Sequence, residues 1–238
     1  MKFKKITVGL VIIVGVTLNG VSMTAQALKE NGLTEQEKRA GWRLLFNGVD
    51  FSGWQELTSE NAPQKGWQVK EGWLTVLAKQ QGGDIITREA FGDFELSLEV
   101  RLSSGANSGI KYFIQPPCSV GFEYQVLDDD KNPDAKAGIN GNRKFASLYD
   151  LLPAQNTKPK AIGGWNQVRV IVKGDSMEHW LNGDKVLAFD RSSERFREAY
   201  QKSKFKPFKE FGTYRRGHIL LQEHGHTVSY RNIKIRPL

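Results

Sequence analysis

The sequence contains almost no cysteine. Cys118 is the only one among 238 residues, which excludes an intrachain disulfide and any metal site built from cysteine pairs. A chain of this length can bury a sizeable core without such links. Cys118 follows two prolines and has no histidine near it in the sequence, so we interpret it as an inert thiol.

Other well-defined motifs are also missing. The chain has neither a glycine-rich phosphate-binding loop nor a Gly-x-Ser-x-Gly nucleophile turn. Its 34 lysine and arginine residues outnumber 26 acidic ones, for a net charge of +8, but the basic residues are scattered and do not alternate with aromatic ones. This distribution gives no support for nucleic acid as a partner.

Long hydrophobic runs are absent except near the N-terminus. Three lysines within the first five residues precede an uncharged run from residue 6 to about 16, and Ala25-Gln26-Ala27 follows. This arrangement predicts a signal peptide, cut after Ala27, and a secreted or periplasmic protein. The run is short for a transmembrane span, so we expect no stable membrane insertion; an uncleaved N-terminal anchor is the alternative. Cleavage would leave 31 basic and 26 acidic residues, a net charge of +5 (31 − 26).

What the rest of the chain does contain is a series of short segments with two-residue periodicity. In residues 93–102 every second residue is apolar, as in a strand with one buried face. Asn182-Gly183 predicts a type I′ hairpin turn. About ten such segments predict a single all-β domain, a β-sandwich or jelly roll. They are residues 42–48, 66–77, 84–89, 93–102, 108–115, 121–127, 165–174, 176–190, 217–222 and 228–238.

Two short helices interrupt this pattern. Residues 33–39 predict a helix with Thr34 as N-cap and Glu37 completing a capping box. Residues 192–204 predict a second helix, an insertion capped by Asp190 or Ser192. We therefore divide the chain into a signal peptide (1–27), an N-terminal extension (28–41) and one jelly-roll domain (42–238).

The segment GFEYQVLDD, residues 121–129, has two different faces. Phe122, Tyr124 and Val126 form an apolar row, while Glu123 and Gln125 project together on the other side and Asp128 follows. A polar strand face of this kind is either solvated surface or a place where carboxylates and an amide grip a saccharide.

A second candidate group lies near the C-terminus, in LLQEHGHTV. Gln222 ends a strand, and His224 follows at its tip beside Glu223. A histidine beside carboxylates suits proton transfer near neutral pH or metal ligation. No third ligand stands at a recognised spacing, and a plain polar loop is the alternative.

Aromatic and amide side chains form a third group. Tyr149 and the six tryptophans, Trp54 among them, offer flat apolar faces, and Arg101 and Asn107 offer hydrogen-bonding groups. Tryptophans in a sandwich are more often core than ligand platforms, so we expect one or two of the six to line a sugar site.

Seven segments in order resemble the 3-keto-disaccharide hydrolase domain family. They are LFNGVDFSGWQ, GDFELSLEVRLSSGANSGIKYF, GFEYQVLDD, ASLYDLLPA, GGWNQVRVIVKG, EHWLNGDKV and GHILLQEHGHTVSYRNIKIRPL, and they cover residues 42–238. The resemblance implies an all-β, concanavalin A-like jelly-roll sandwich with one short helical insertion. It also implies a secreted bacterial enzyme acting on glycosides already oxidised at C3.

The resemblance implies a chemistry as well. A C3 ketone acidifies the C2 proton; a base removes it, the C1 substituent leaves by β-elimination, and water adds to the glucal. Such a site needs a base, a stabiliser for the enolate oxygen and an acid, and a divalent metal is one way to stabilise the enolate.

The resemblance also implies which residues take part. Glu123 and Asp128 match the family's strand motif, and Gln222 and His224 match its LQ-x-HG motif, where many relatives have aspartate in place of Glu223. We predict His224 or Glu123 as proton acceptor, and Asp128 as its partner; Asp128 and His224 are the candidate metal ligands. The predicted substrate-binding residues are Gln125, Gln222, Arg101, Asn107, Tyr149 and Trp54.

Two other functions fit the same scaffold. One is a non-catalytic carbohydrate-binding module, because lectins and hydrolases share the fold. The other is an ordinary retaining glycosidase, which needs two carboxyl groups about 5 to 5.5 Å apart. A carbohydrate partner is common to all three, and the oligomeric state is open.

Overall fold

The protein is a two-layer β-sandwich. The structure, a computed structural model, describes residues 30–238, and two antiparallel sheets make up most of it. This confirms the predicted all-β jelly-roll class. The predicted signal peptide and its cleavage point lie outside the described residues.

The larger sheet, called here the large sheet, has the strand order β11-β10-β9-β6-β13-β4-β3, with β1 paired to β13. Its strands are β1 (Arg43–Leu44), β3 (Trp67–Lys70), β4 (Trp73–Val76), β6 (Phe94–Leu102), β9 (Trp165–Lys173), β10 (Ser176–Leu181), β11 (Asp184–Asp190) and β13 (Val228–Pro237).

The other sheet, the small sheet, has the order β2-β5-β12-β7-β8. Its strands are β2 (Trp54–Glu56), β5 (Ile85–Phe91), β7 (Asn107–Ile114), β8 (Phe122–Leu127) and β12 (Gly217–Leu221). The predicted segments correspond to strands throughout, but β2 was not predicted, and the segment at 42–48 forms only the two-residue β1.

The core lies between the inner faces of the two sheets. The apolar row of β6, from Phe94 to Leu102, is buried there, as are Phe122 and Tyr124 of β8. His179 of β10 is fully buried among them, where its ring nitrogens bond with the Tyr112 hydroxyl at 3.1 Å and the Ala146 carbonyl at 2.8 Å. Because one face of each strand is buried in this way, the alternate residues point outward.

Local signals explain the turns and helices. Asn182 and Gly183 both have positive φ, 52° and 91°, as a type I′ turn between β10 and β11 requires. Helix α1 (Glu35–Arg39) begins after Thr34 with the complete capping box. Helix α2 (Glu194–Lys202) is capped by Ser193, so the predicted caps at Asp190 and Ser192 were wrong; the Asp190 carboxylate instead accepts from the Ser192 amide.

The outer edge of β8 is covered by an irregular segment rather than exposed. The Gln125 amide donates to the Ser147 carbonyl at 3.1 Å, and the Tyr149 amide donates to the Glu123 carbonyl at 3.0 Å. These bonds hold residues 145–150 along the free edge of β8. Within the described residues, no helix is both long and apolar enough to cross a bilayer.

Candidate active site

A buried ion pair lies on the outer face of the small sheet. Alternation along β8 turns Glu123 outward, and Lys111 of β7 is its direct partner across the ladder. The Lys111 Nζ lies 3.7 Å from Glu123 Oε2, and the two side chains are only 10% and 5% exposed. An outward carboxylate this shielded from water lies in a depression, not on open surface.

A glycine makes room for the Glu123 carboxylate. A Cβ on Gly109 of β7 would lie 2.3 Å from Glu123 Oε1, so any side chain there would displace it. The Gly109 carbonyl accepts from the Gln222 amide at 3.0 Å. Gln222 therefore follows β12 directly beside the carboxylate and, by alternation, on the same face of the sheet.

The loop after Gln222 is held by a second acid. Asp84, just before β5, accepts from the Glu223 amide at 2.8 Å. The Glu223 carboxylate in turn accepts from the Gly225 amide at 2.7 Å. These bonds fix the turn that carries His224, whose side chain is exposed at the rim.

The opposite side of the depression is formed by Tyr149 and Lys204. Lys204 follows α2, and its Nζ lies 4.2 Å from the centre of the Tyr149 ring. The Lys204 amide donates to Asp150 at 2.7 Å, and the Tyr149 hydroxyl donates to Asp134 at 2.8 Å. Carboxylates of the 128–150 loop thus position the Tyr149 side chain and the Lys204 backbone.

The electrostatics favour a carboxyl that can take up a proton. Burial raises the pKa of Glu123 above its ordinary value, and the positive charges of Lys111 and Lys204 counter this only in part. Burial likewise raises the pKa of Asp84, against the opposing charge of Lys111. His224 acts on the pKa of both carboxyls, so the five groups form one electrostatic cluster.

Comparison with known proteins identifies the family of this fold and site. A family model described as a 3-keto-alpha-glucoside-1,2-lyase-like domain matches residues 41–236. The chain belongs to this family.

Individual relatives agree with the 3-keto-alpha-glucoside-1,2-lyase-like assignment. The chain is 33% identical over 229 residues to a 3-keto-disaccharide hydrolase of Bacteroides thetaiotaomicron, covering 83% of this chain and 79% of that protein. A Parabacteroides distasonis crystal structure, of a protein provisionally described as a glycosyl hydrolase, matches with a TM-score of 0.79 at 32% identity and covers 87% of this chain and 99% of that one. Together they support a hydrolase-like enzyme that processes glycosides.

A more distant similarity shows the fold alone. The carbohydrate-binding module CBM66 of Bacillus subtilis matches with a TM-score of 0.50 at 13% identity, over 77% of this chain and 95% of that one. The jelly roll by itself therefore does not separate binding from catalysis, and the site must be argued from its residues.

The structure brings four of the predicted site residues together. Glu123, Gln222 and Tyr149 surround the depression, and His224 lies at its rim. Gln125 and Asn107 share the outer face by alternation, but they are 1% and 6% exposed. Both are therefore about as shielded from solvent as Glu123, which is 5% exposed.

Three predicted residues lie elsewhere, and these placements correct the prediction. The Asp128 carboxylate accepts from the backbone amides of Gly105 at 2.7 Å, Asp130 at 3.2 Å and Lys131 at 3.3 Å. It shapes the loop after β8, and alternation gives it the opposite face to Glu123.

Trp54 and Arg101 belong to other parts of the sandwich. Trp54 is fully buried in the core, where its indole donates to the Leu45 carbonyl at 2.7 Å. Arg101 stacks on Trp73, 4.7 Å from the ring centre, on the outer face of the large sheet. The remaining tryptophans lie in the core or on that same outer face, against the expectation that one or two line the sugar site.

Lys111, Asp84 and Lys204 were missed by the sequence analysis. Lys111 carries a usable signal, because it is a lone charge in the otherwise apolar and small segment SGIKYFI and lies one strand before Glu123. Asp84 and Lys204 have no such signal in the sequence, since only the pairing of distant segments brings them to the site.

The predicted metal ligands do not form a donor set. The Asp128 carboxylate oxygens accept from the backbone amides of Gly105, Asp130 and Lys131. Across residues 30–238, no group of three or more histidine, cysteine, aspartate or glutamate side chains is arranged to hold a metal ion. The residues of the described chain therefore do not fit the divalent metal suggested by the resemblance, and we derive no step through one.

Proposed function

We propose that the protein cleaves 3-keto-glycosides by removing the C2 proton, eliminating the C1 substituent and adding water to the product. The observation that carries the proposal is the shielded Glu123–Lys111 pair, 3.7 Å apart. It places a carboxylate and a cation side by side, as the removal of a proton next to a ketone requires. The similarity to the Bacteroides 3-keto-disaccharide hydrolase supports this substrate class.

Glu123 acts as the base. Burial raises its pKa, and a carboxylate with a raised pKa is a stronger proton acceptor. Its Oε1 lies over Gly109, so the missing side chain there lets the carboxylate lie against β7. Glu123 takes the C2 proton, and the C2–H electrons form the enolate at C3.

Lys111 stabilises the enolate oxygen. Its ammonium group is positioned by the Glu123 carboxylate and by the Ser119 carbonyl, to which it donates at 3.3 Å. A buried cation near developing negative charge is more effective than one in water, because little solvent reorganisation is needed. When Glu123 becomes protonated, the negative charge on the enolate takes its place beside Lys111.

His224 supplies the proton to the leaving oxygen. As the enolate collapses to restore the C3 ketone, the C1–O bond breaks and the leaving oxygen takes a proton from the imidazolium. The Asp84–Glu223 bond holds the turn in place. Water then adds at C1 and gives a proton to the neutral imidazole of His224, while Glu123, its proton exchanged with solvent, protonates C2; this completes a net hydrolysis and restores both groups.

The test is a comparison of substrates on the purified protein. We expect cleavage of a 3-keto-disaccharide, unaffected by a chelator, and no cleavage of the unoxidised parent. Deuterium should enter C2 of the product in D₂O, because the mechanism breaks and remakes that C–H bond. Cleavage of the parent alone would indicate an ordinary glycosidase, and binding without cleavage of either would indicate a carbohydrate-binding module. Loss of activity with chelator would overturn the metal-free mechanism.

A further inference from the structure

A second cavity lies next to the site, between α2 and the loop of residues 138–153. Its volume is about 350 Å³, within the roughly 300–1,000 Å³ of small-molecule pockets. One face of the helix lines it, since Arg195, Glu198, Ala199 and Lys202 recur at helical spacing. The loop contributes residues on the other side, including Asn140, Asn142, Arg143 and Asp150.

Lys204 joins this cavity to the catalytic depression. It is part of the cavity wall, and its Nζ lies over the Tyr149 ring. Its charge also acts on the pKa of Glu123, so it is close to the base as well. A substrate that extends from Glu123 past Lys204 would reach the cavity.

The cavity carries an excess of positive charge. Arg143 is committed to Asp134 at 2.9 Å and Asp150 at 2.6 Å. Arg195, Lys202 and Lys204 make no ion pair within the described part of the chain, where the ion pairs involve other residues. Glu198 is the only acid of the lining that such a pair does not neutralise. The lining thus has three cations without an ion-pair partner in the described chain and one such carboxylate.

We propose that this cavity binds a carboxylate-bearing sugar unit, a hexuronate, attached through the glycosidic bond that the enzyme cleaves. The base acts at C2, next to C1, so the unit attached at C1 is the part of the substrate that continues beyond the depression. Arg195 and Lys202 pair with its carboxylate, and Asn140 and Asn142 face its hydroxyl groups. The inference rests on the proposed function for its catalytic test but not for its binding test.

The catalytic test uses two substrates that differ only in charge. One is a 3-keto-glucoside with glucuronate as the leaving unit, and the other is its methyl ester. We expect kcat/KM to be roughly tenfold higher for the acid, because charge-assisted hydrogen bonds are stronger than neutral ones. The preference should be lost in the double variant Arg195→Gln/Lys202→Gln and should weaken as salt is added.

Arg197→Gln is the matched control. It removes the same charge from the same helix, but Arg197 does not line the cavity and its guanidinium donates to the Ser192 carbonyl. The control variant should keep the preference for the acid. Equal kcat/KM for acid and ester in the wild type, or loss of the preference in the control as well, would overturn the inference.

Binding separates this inference from the proposed function. Calorimetry with the unoxidised glucuronate disaccharide and its methyl ester reports on the cavity without turnover. Tighter binding of the acid that disappears in the double variant supports the cavity even if no 3-keto-glycoside is cleaved. Equal binding of acid and ester, beside normal cleavage of neutral 3-keto-disaccharides, rejects the cavity and retains the enzyme.

Discussion

The outer faces of the two sheets differ in how closely their charged side chains are paired. On the large sheet, Glu95 receives hydrogen bonds from both Arg169 and Arg236, and Arg231 pairs with Glu99 at 2.6 Å while stacking on Trp165. On the small sheet, Glu123 has Lys111 as its one ion-pair partner among the described residues, at the longer distance of 3.7 Å.

This difference distinguishes charges that stabilise the fold from charges suited to proton transfer. Charges on the large sheet are paired at short range, and several of their arginines lie across aromatic rings, which holds these side chains in fixed contacts. Charges on the small sheet are buried but loosely paired, so burial shifts the pKa of Glu123 and Asp84 upward. A site that keeps a buried carboxylate incompletely paired is a candidate for proton transfer.

The largest expected effect comes from Glu123→Gln. The amide keeps the shape of the side chain but cannot take up the C2 proton, so kcat should fall by roughly 10³-fold. The measurement is the turnover rate of a 3-keto-disaccharide, with circular dichroism to confirm that the fold is unchanged.

The matching change on the other face is Glu95→Gln, which should leave turnover near that of the wild type. Equal loss of activity in both variants would remove the functional difference between the two faces. Full activity of Glu123→Gln would transfer the role of base to another residue, His224 being the alternative.

His224→Ala should have the next largest effect. Without the imidazolium, the leaving oxygen departs unprotonated, and kcat should fall by about 10²-fold for a sugar leaving group. A nitrophenol leaving group needs little protonation, so the variant should recover most of its activity on a 3-keto-nitrophenyl glycoside. A loss that is the same for both leaving groups would contradict the role of general acid and indicate that the residue only positions the loop.

Lys111→Met tests the electrostatics of the pair. Removing the cation should raise the pKa of Glu123 further, since Lys111 is the strongest influence that lowers it. The base must be ionised to act, so the acid limb of the kcat/KM profile should move to higher pH. The maximal rate should also fall, by up to about 10²-fold, because the enolate oxygen loses its stabilising charge. A lower rate with the limb in its original position would mean that Glu123 is not the titrating base.

Much of the fold follows from local sequence signals. The alternation of β6 and β8, the capping box at Thr34 and the Asn182-Gly183 turn each depend on a few neighbouring residues, and the structure has all of them. The outward direction of Glu123 follows from the same alternation. These features could be predicted because their physical cause lies within a few residues of chain.

The site residues that could not be predicted are positioned by the pairing of segments far apart in the sequence. Alternation turns Arg101 outward correctly, but only the pairing of β6 with β9 and β13 places it on the large sheet. Asp84 meets Glu223 across 139 residues, and Lys204 enters from the segment after α2. Asp128 was misplaced for a local reason: it lies an odd number of positions after Glu123, so alternation turns it to the other face.

The smallest expected effect is on the stability of the large sheet. Glu95 is 4% exposed, and its carboxylate joins β9 to β13 through Arg169 and Arg236, whose side chains are 36% and 32% exposed. Glu95→Gln removes the charge but leaves an oxygen that can accept one bond. Because solvent screens both arginines in part, we expect the free energy of unfolding to fall by about 1 kcal/mol. Urea denaturation measures it, and added salt should reduce the difference between variant and wild type. A loss of turnover instead of stability would show that this face also takes part in catalysis.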